Sequence, residues 1–77
     1  MATAYILIQT DVGKAEQVAR NVRSIEGVKE AENVTGPYDV MVKVEALDMD
    51  ALGKLVVSEI QMLRGITRTL TCPVVRL

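Results

Sequence analysis

The chain lacks histidine, tryptophan and phenylalanine, and Cys72 is its single cysteine. Without histidine, zinc and non-haem iron lose their commonest nitrogen ligand, and acid–base catalysis loses its commonest base. One thiol forms no internal disulfide and fits a reducing cytoplasm. Because reactive thiols need an electropositive setting, Cys72 is interpreted as a small core or interface residue. We therefore expect a cytoplasmic protein that has no cofactor and is not an enzyme.

A strong net charge and long apolar runs are also missing. The 9 basic and 10 acidic residues give a formal net charge of −1, and the basic residues are scattered. Proteins that bind nucleic acid directly usually carry a basic patch and have a high pI. No apolar run approaches the roughly 20 residues that span a bilayer, and the sequence does not open with a signal-peptide pattern. The sequence therefore predicts no direct nucleic-acid binding, no membrane insertion and no secretion.

The length of 77 residues allows a single domain, residues 1–77, with a small core. Hydrophobic residues make up 49% of the chain, and nearly all of them are aliphatic or methionine. Domains of this size usually need a disulfide, a metal or a partner subunit in addition to their core. Homo-oligomerisation is the expected support, although a compact monomer with some exposed aliphatic side chains is a common alternative.

The sequence repeats itself at a distance of 38 residues, and each half ends a helix in the same way. In both halves a glycine, Gly27 or Gly65, suits the left-handed C-terminus of a helix, and the β-branched residue after it starts a strand. Amphipathic helices precede both stops, with Asp11 and Asp48 as the expected N-caps. Their apolar faces consist of Ala15, Val18, Ala19, Val22 and Ile25 in the first helix and Leu52, Leu55, Val56, Ile60 and Leu63 in the second.

The β-type runs cover residues 4–10, 28–34, 40–46 and 66–74, so the order of elements is βαββαβ. Two right-handed βαβ units interleave into a four-stranded antiparallel sheet with both helices on one face. The predicted fold class is α+β, a ferredoxin-like βαββαβ sandwich. The first strand is apolar on both faces, because Tyr5 and Leu7 alternate with Ile6 and Ile8. A partner's sheet is therefore expected to cover the second face, which gives a dimeric, α+β barrel-like association.

The segment Thr-Gly-Pro-Tyr-Asp at 35–39 joins the second and third strands and allows two interpretations. As a turn, glycine and proline redirect the chain, and Asp39 bonds to nearby backbone. As a ligand contact, free N–H groups around Gly36 receive a carboxylate while Asp39 pairs with an ammonium group. An α-amino acid carries both of those charges.

In the last strand Thr67, Thr69 and Thr71 recur at every second residue, so we expect their side chains to share one face. Threonine is a good strand former, and a solvated face is the default explanation. A row of hydroxyl groups at a subunit contact would instead hold a small zwitterion. Gln61 and Met62, late in the second helix, are further candidates by position alone, although packing explains Met62 more simply.

These segments resemble the effector-binding (RAM) domain of the Lrp/AsnC (feast/famine) transcriptional regulators. The similarity lies in Thr-Gly-Pro-Tyr-Asp-Val-Met-Val-Lys-Val-Glu-Ala at 35–46, Ile-x-Gly-Val at 25–28 and Arg-Gly-Ile-Thr-Arg-Thr-x-Thr at 64–71. It covers essentially the whole chain. It implies a non-enzymatic domain that forms homodimers and higher oligomers, often octamer-like rings, and binds amino-acid effectors between dimers. The ligand-binding residues that it implies are Gly36, Tyr38, Asp39, Thr69 and Thr71, with Glu32 and Thr67 as weaker candidates.

Regulators of that family carry a helix-turn-helix, and nothing similar precedes Ala4 in this sequence. We therefore expect a stand-alone ligand-binding and oligomerisation domain that modulates amino-acid-responsive transcription without a DNA-binding domain of its own. It would act by itself or together with a full-length Lrp/AsnC regulator. Two alternatives remain open: a small dimeric ferredoxin-like enzyme of the monooxygenase or isomerase type, and a purely structural adaptor. The sequence does not identify the effector, the ring size or the target genes.

Overall fold

Strands and helices follow one another in the order βαββαβ in residues 1–76, the part of the chain that the computed structural model describes. A π-helical segment, Val56–Ile60, continues the second helix. The strands are β1 (Ala2–Thr10), β2 (Val28–Asn33), β3 (Val40–Ala46) and β4 (Ile66–Pro73), and the helices are α1 (Ala15–Arg23) and α2 (Met49–Leu55). The boundaries agree with the predicted ones to within two residues for the strands.

The strands form one antiparallel sheet in the order β2-β3-β1-β4, with β1 and β3 in the centre. In the middle of β1 and β3, the side chains that point to the helix side are fully buried beneath α1, α2 and the π-helical segment. The core is aliphatic, as the composition requires, and its largest fully buried members are Ile6, Ile8, Val18, Val22, Val40, Val42, Val44, Leu52 and Ile60. This arrangement confirms the predicted ferredoxin-like sandwich.

Both glycines have the left-handed backbone that the sequence predicts, but the predicted C′ position is wrong, because the helical segments already end at the C-caps Ser24 and Gln61 and the glycines lie in the turns that follow. Gly27 has φ +98° and Gly65 has φ +92°, a region that side chains with a Cβ rarely adopt. Gly27 also allows a close approach, because a Cβ there would lie 3.0 Å from the carbonyl oxygen of Glu45 and 3.1 Å from Leu55 Cδ2. The glycine thus ends the segment after α1 and lets it pack tightly on β3 and α2.

The two predicted N-caps have different outcomes. Asp48 caps α2, because its Oδ1 accepts a hydrogen bond from the N–H of Ala51 at 2.8 Å. The prediction for Asp11 is wrong: Lys14 occupies the N-cap position of α1, and its side chain makes no capping bond. Gly13, at φ +79°, turns the chain between Asp11 and the helix, and Asp11 bonds through its main chain: its carbonyl oxygen accepts from the N–H of Lys14 at 3.0 Å, and its N–H donates to the carbonyl oxygen of Gly65 at 2.8 Å.

The π-helical segment is the main departure from the predicted helices. The N–H of Gln61 donates to the carbonyl oxygen of Val56 at 2.9 Å, a bond that spans five residues instead of the four of an α-helix. The wider turn leaves Val57 60% exposed, although its counterpart in the repeat, Ala19, is fully buried. Among residues 1–76, no helix has the length and hydrophobicity needed to cross a membrane.

The face of the sheet opposite the helices is partly apolar, as predicted. Met41, Leu7 and Leu70 lie side by side across β3, β1 and β4, and Lys43, Tyr5 and Cys72 form the next row. We call these six residues the open sheet face. Tyr5, Met41 and Leu70 are 38%, 40% and 46% exposed, and Cys72 is exposed rather than buried in the core. A partner's sheet as the cover of this face stays a prediction.

Candidate functional site

The loop at 36–39 is fixed to the end of the central strand β1. Asp39 Oδ2 accepts hydrogen bonds from the N–H of Thr10 at 2.8 Å and from its hydroxyl at 3.2 Å. The N–H of Asp39 donates to the carbonyl oxygen of Ile8 at 2.8 Å, and Gln9 Nε2 donates to the carbonyl oxygen of Pro37 at 2.9 Å. Bonds at Pro37 and at Asp39 therefore hold the loop against β1.

These bonds give Asp39 the structural role that the turn interpretation predicts, because its side chain bonds to the backbone of a neighbouring segment. Its carboxylate is half-buried, and both side-chain bonds use the same oxygen, Oδ2. Because the donors at Thr10 are neutral, the negative charge of the carboxylate is not cancelled by an ion pair with them. A fixed carboxylate of this kind suits an ammonium group in its surroundings. Contact of Asp39 with a ligand stays a prediction.

The other two loop candidates differ in exposure. Gly36 is exposed and has φ +120°. A Cβ placed on it would have no neighbouring atom within 4 Å. Tyr38 is half-buried. Space beside Gly36 lets another molecule approach the loop backbone closely, which is the usual reason for glycine in a binding loop.

The threonines of β4 lie on the helix side of the sheet. Thr69 is opposite Ile8 and Thr71 is opposite Ile6, and both isoleucines point into the core. Both threonines are half-buried because β4 is an edge strand. Thr67 does not belong to this row, which corrects the prediction of three threonines on one face. The register of β1 and β4 shifts at this point, so Thr67 has no partner in β1 and is exposed.

The structure brings the loop and Thr69 to the same end of the sheet, on either side of β1. Val40, the residue after the loop, and Thr69 both pair with Ile8, so two strand spacings, about 10 Å, separate them. Thr71 lies about 7 Å further along β4. Glu32, a weaker candidate, is on β2 at the opposite edge of the sheet, so a single chain does not unite it with Thr69.

Gln61 completes a small polar site beside Thr69. Its Nε2 donates a hydrogen bond to Thr69 Oγ1 at 2.9 Å. Met62 is 76% exposed, so packing does not explain it. The depression next to β4, which we call the β4 pocket, has a volume of about 370 Å³ and is lined by Gln61, Ile66, Thr67, Arg68 and Thr69. Volumes in this range accommodate small molecules.

Side chains for metal chemistry are not clustered in the described part of the chain. Residues 1–76 contain no group of three or more His, Cys, Asp or Glu side chains that could hold a metal ion. The buried side chains in this range are all apolar. The polar candidate residues therefore lie outside the core, the loop at the end of β1 and the threonines and Gln61 beside the edge strand β4.

Curated relatives of two kinds match the chain. An uncharacterized HTH-type transcriptional regulator of Pyrococcus furiosus is 32% identical over 72 residues, which are 90% of this chain and 48% of the regulator. The chain thus spans about half the length of the curated regulators it matches. A homocitrate synthase of Sulfolobus acidocaldarius is 43% identical over 54 residues, which are 70% of this chain and 11% of the enzyme.

Solved structures share the whole fold. A hypothetical protein of Pyrococcus horikoshii is 34% identical with a TM-score of 0.92, over 100% of this chain and 93% of that one. AsnC of Escherichia coli is 26% identical with a TM-score of 0.91, over 99% of this chain and 52% of AsnC. A Neisseria meningitidis transcriptional regulator in complex with L-Met has the same fold at 21% identity and a TM-score of 0.85, over 97% of this chain and 50% of that one.

The family model of the Lrp/AsnC ligand binding domain matches residues 3–77. This match covers nearly the whole chain, and it agrees with the relatives, the sheet order and the two left-handed glycines described above. The chain belongs to the Lrp/AsnC ligand-binding domain family.

Proposed function

We propose that this domain binds an amino acid at a contact between subunits and that binding favours one homo-oligomeric assembly, through which it modulates amino-acid-responsive transcription. The observation that carries the proposal is the arrangement at one end of the sheet. An anchored loop that bears the Asp39 carboxylate lies about 10 Å from Thr69 across β1. A carboxylate suits the ammonium group of an amino acid, and hydroxyl groups suit its carboxylate.

The open sheet face supports the homodimer in this proposal. Three apolar side chains, Leu7, Met41 and Leu70, form a continuous row across neighbouring strands on the face opposite the helices. A two-fold axis through this row would pack it against its own copy, because isologous interfaces use the same patch on both subunits. Contacts between such dimers would then build the octamer-like ring and the ligand site.

The two kinds of relatives support small-molecule sensing as the shared activity. Transcriptional regulators and a homocitrate synthase match largely the same part of this chain. A domain that accompanies both DNA-binding and catalytic proteins is more simply a sensor than part of either machinery. The Neisseria regulator of the same fold is described with L-Met, which makes amino acids the first class to test.

The proposed mechanism is a shift between assemblies. An effector changes the population of two assemblies only when it binds one of them more tightly than the other. A site that is completed by two dimers satisfies this condition, because it exists in the ring and is incomplete in the separate dimer.

The test combines calorimetry with sedimentation. We expect the purified domain to bind at least one member of a panel of the twenty amino acids, and the same compound to change its sedimentation coefficient. Thr69→Val should weaken that binding, whereas Thr3→Val, a matched change at the other end of the sheet, should not. Absence of binding across the panel, together with an unchanged assembly, would overturn the proposal and leave the structural adaptor.

The dimeric enzyme is the weaker alternative. Such an enzyme needs polar groups in an enclosed cleft between sheet and helices, whereas the buried side chains of residues 1–76 are apolar. Two further expectations, action without a helix-turn-helix and co-assembly with a full-length regulator, stay predictions. Co-purification of the domain with a tagged full-length Lrp/AsnC protein from the same cells would test the second.

A further inference from the structure

The internal repeat produces two corresponding depressions, one beside each edge strand. The second is the β4 pocket. The first, which we call the β2 pocket, has a volume of about 350 Å³. Adding 38 to the numbers of five of its lining residues gives the complete lining of the β4 pocket. These five residues of the β2 pocket are Arg23, Val28, Lys29, Glu30 and Ala31.

The backbone around the two pockets is irregular at the same place. The pairing of β2 with β3 shifts between Val28 and Glu30, and the pairing of β4 with β1 shifts between Ile66 and Arg68. Each shift leaves one residue of the edge strand out of the ladder and bends that strand. The two halves therefore share not only their left-handed glycines but also the shape of the pocket beside each edge.

The side chains that close the two pockets have diverged. In the first half, Arg23 Nε and Nη2 donate to the main-chain carbonyl oxygen of buried Ala31 at 3.0 and 2.7 Å. In the second half, Gln61 at the corresponding position donates to the side-chain hydroxyl of Thr69 at 2.9 Å. The first pair ties the helix to the edge strand. The second pair links the end of the helix to the Thr69 hydroxyl, which can itself bond to another molecule.

The direction of the second bond fixes the chemistry of the hydroxyl. A threonine hydroxyl has one proton to donate and two lone pairs to accept with. Because Thr69 Oγ1 accepts from Gln61, its proton is free to be donated outward. A hydroxyl that presents its proton outward suits an acceptor such as a carboxylate.

We propose that Gln61 is a positioning residue, which holds the Thr69 hydroxyl as a donor to the carboxylate of the bound amino acid. This inference rests on the proposed function and specifies which end of the ligand the β4 pocket receives. The π-helical segment contributes to it. The Gln61 N–H bonds to Val56 instead of Val57, the partner in a regular α-helix, and this extra residue sets the direction in which Gln61 leaves the helix.

Gln61→Glu reverses the bond and provides the test. A glutamate can only accept from Thr69, so the hydroxyl would present lone pairs to the ligand instead of its proton. The probes are the amino acid that binds best in the panel and its α-carboxamide, measured by titration calorimetry. We expect the preference for the carboxylate over the carboxamide to fall by about tenfold or more, because a charge-assisted bond is lost. Gln61→Met, which removes the donor without adding charge, should reduce the preference less.

Two controls separate positioning from a simple effect of charge. Arg23→Gln, the corresponding position in the first half, should leave the preference unchanged. In a Thr69→Val background, Gln61→Glu should have little further effect, because it acts through the Thr69 hydroxyl.

An unchanged preference in Gln61→Glu, or an equal effect with and without Thr69, would overturn this inference while the wild-type domain still binds its amino acid. Failure of the wild-type domain to bind any member of the panel would instead overturn the proposed function and, with it, this inference.

Discussion

Asp39 explains why the loop at 36–39 is so well defined. Its carboxylate joins the loop to Thr10 at the end of the central strand, and its N–H joins the loop to Ile8. The local sequence offered a turn and a ligand contact as alternatives, and the hydrogen bonds show that a structural role exists whether or not a ligand binds. A substitution at Asp39 therefore affects stability before it affects binding.

Asp39→Ala should lower the free energy of unfolding by about 1–3 kcal/mol, because the half-buried N–H and hydroxyl of Thr10 lose their acceptor. Asp39→Asn keeps one oxygen acceptor and should cost less. Urea denaturation, followed by circular dichroism, measures both. Glu26→Ala, an exposed change in a turn, is the control and should stay within about 0.5 kcal/mol of the wild type. If Asp39→Ala behaves like this control, the loop does not depend on the carboxylate.

Two glycines, one in the turn after α1 and one within α2, serve different purposes. Gly27 has positive φ and allows Glu45 to come close, whereas Gly53 lies within α2 with open space where a Cβ would be. The first is required by the backbone. The second weakens the helix without an evident packing reason.

The same substitution should therefore have opposite effects at these two positions. Gly53→Ala should raise the free energy of unfolding by about 0.5–1 kcal/mol, because alanine favours the helix and restricts the unfolded chain. Gly27→Ala should lower it by about 1–3 kcal/mol, because alanine is strained at φ +98° and its Cβ would lie 3.0 Å from the Glu45 carbonyl oxygen. Thermal unfolding at one fixed protein concentration gives both values. A stabilised Gly27→Ala variant would contradict this account.

The strands and the core were predictable from the sequence because they depend on local spacing. Alternation of apolar residues identified β1 and β3, and the glycines marked the left-handed turns before β2 and β4, although the helices end several residues earlier. The π-helical segment was not predictable, since Leu52, Val56 and Ile60 have a spacing that also suits an α-helix. The register shift at Thr67 was hidden for a similar reason, because Thr67, Thr69 and Thr71 alternate regularly in the sequence.

The site was only partly predictable. The resemblance identified the loop and Thr69, which the structure brings to one end of the sheet. Gln61 had only its position in its favour. Its hydrogen bond to Thr69 spans two elements that the local spacing of residues does not relate. The repeat contained a usable signal, because Arg23 and Gln61 stand 38 residues apart in corresponding places. Residues that meet only between subunits form no such repeat in the sequence of a single chain, so this part of the site was not predictable.

For the molecule as a whole, the open sheet face is the feature on which the proposed homodimer depends. A chain of 77 residues has a small core, and this face places Leu7, Met41 and Leu70 next to one another outside it. Contiguous exposed apolar patches usually mark an interaction site. The core lies on the other side of the sheet, so a change on this face can alter assembly without unfolding the domain.

Leu70→Glu should dissociate the proposed homodimer, because it would place a charge in the middle of an apolar contact. Analytical ultracentrifugation should show a smaller sedimenting species, and circular dichroism should show an intact fold, since Leu70 is already 46% exposed. Val12→Glu, at a fully exposed turn position before α1, is the matched control and should sediment like the wild type. If Leu70→Glu also sediments like the wild type, the dimer does not use this face.

The bond between Arg23 and Ala31 has a consequence for how the two halves tolerate genetic change. Every amino acid provides a main-chain carbonyl, so any residue at position 31 can accept this bond. Only the size of its side chain is restricted there. The corresponding bond at Thr69 needs a side-chain acceptor, and the proposed contact with a ligand also needs a proton to donate; serine is the small residue that keeps both. In a library selected for function, codon 31 should therefore accept other small residues, while codon 69 should be restricted to threonine and serine.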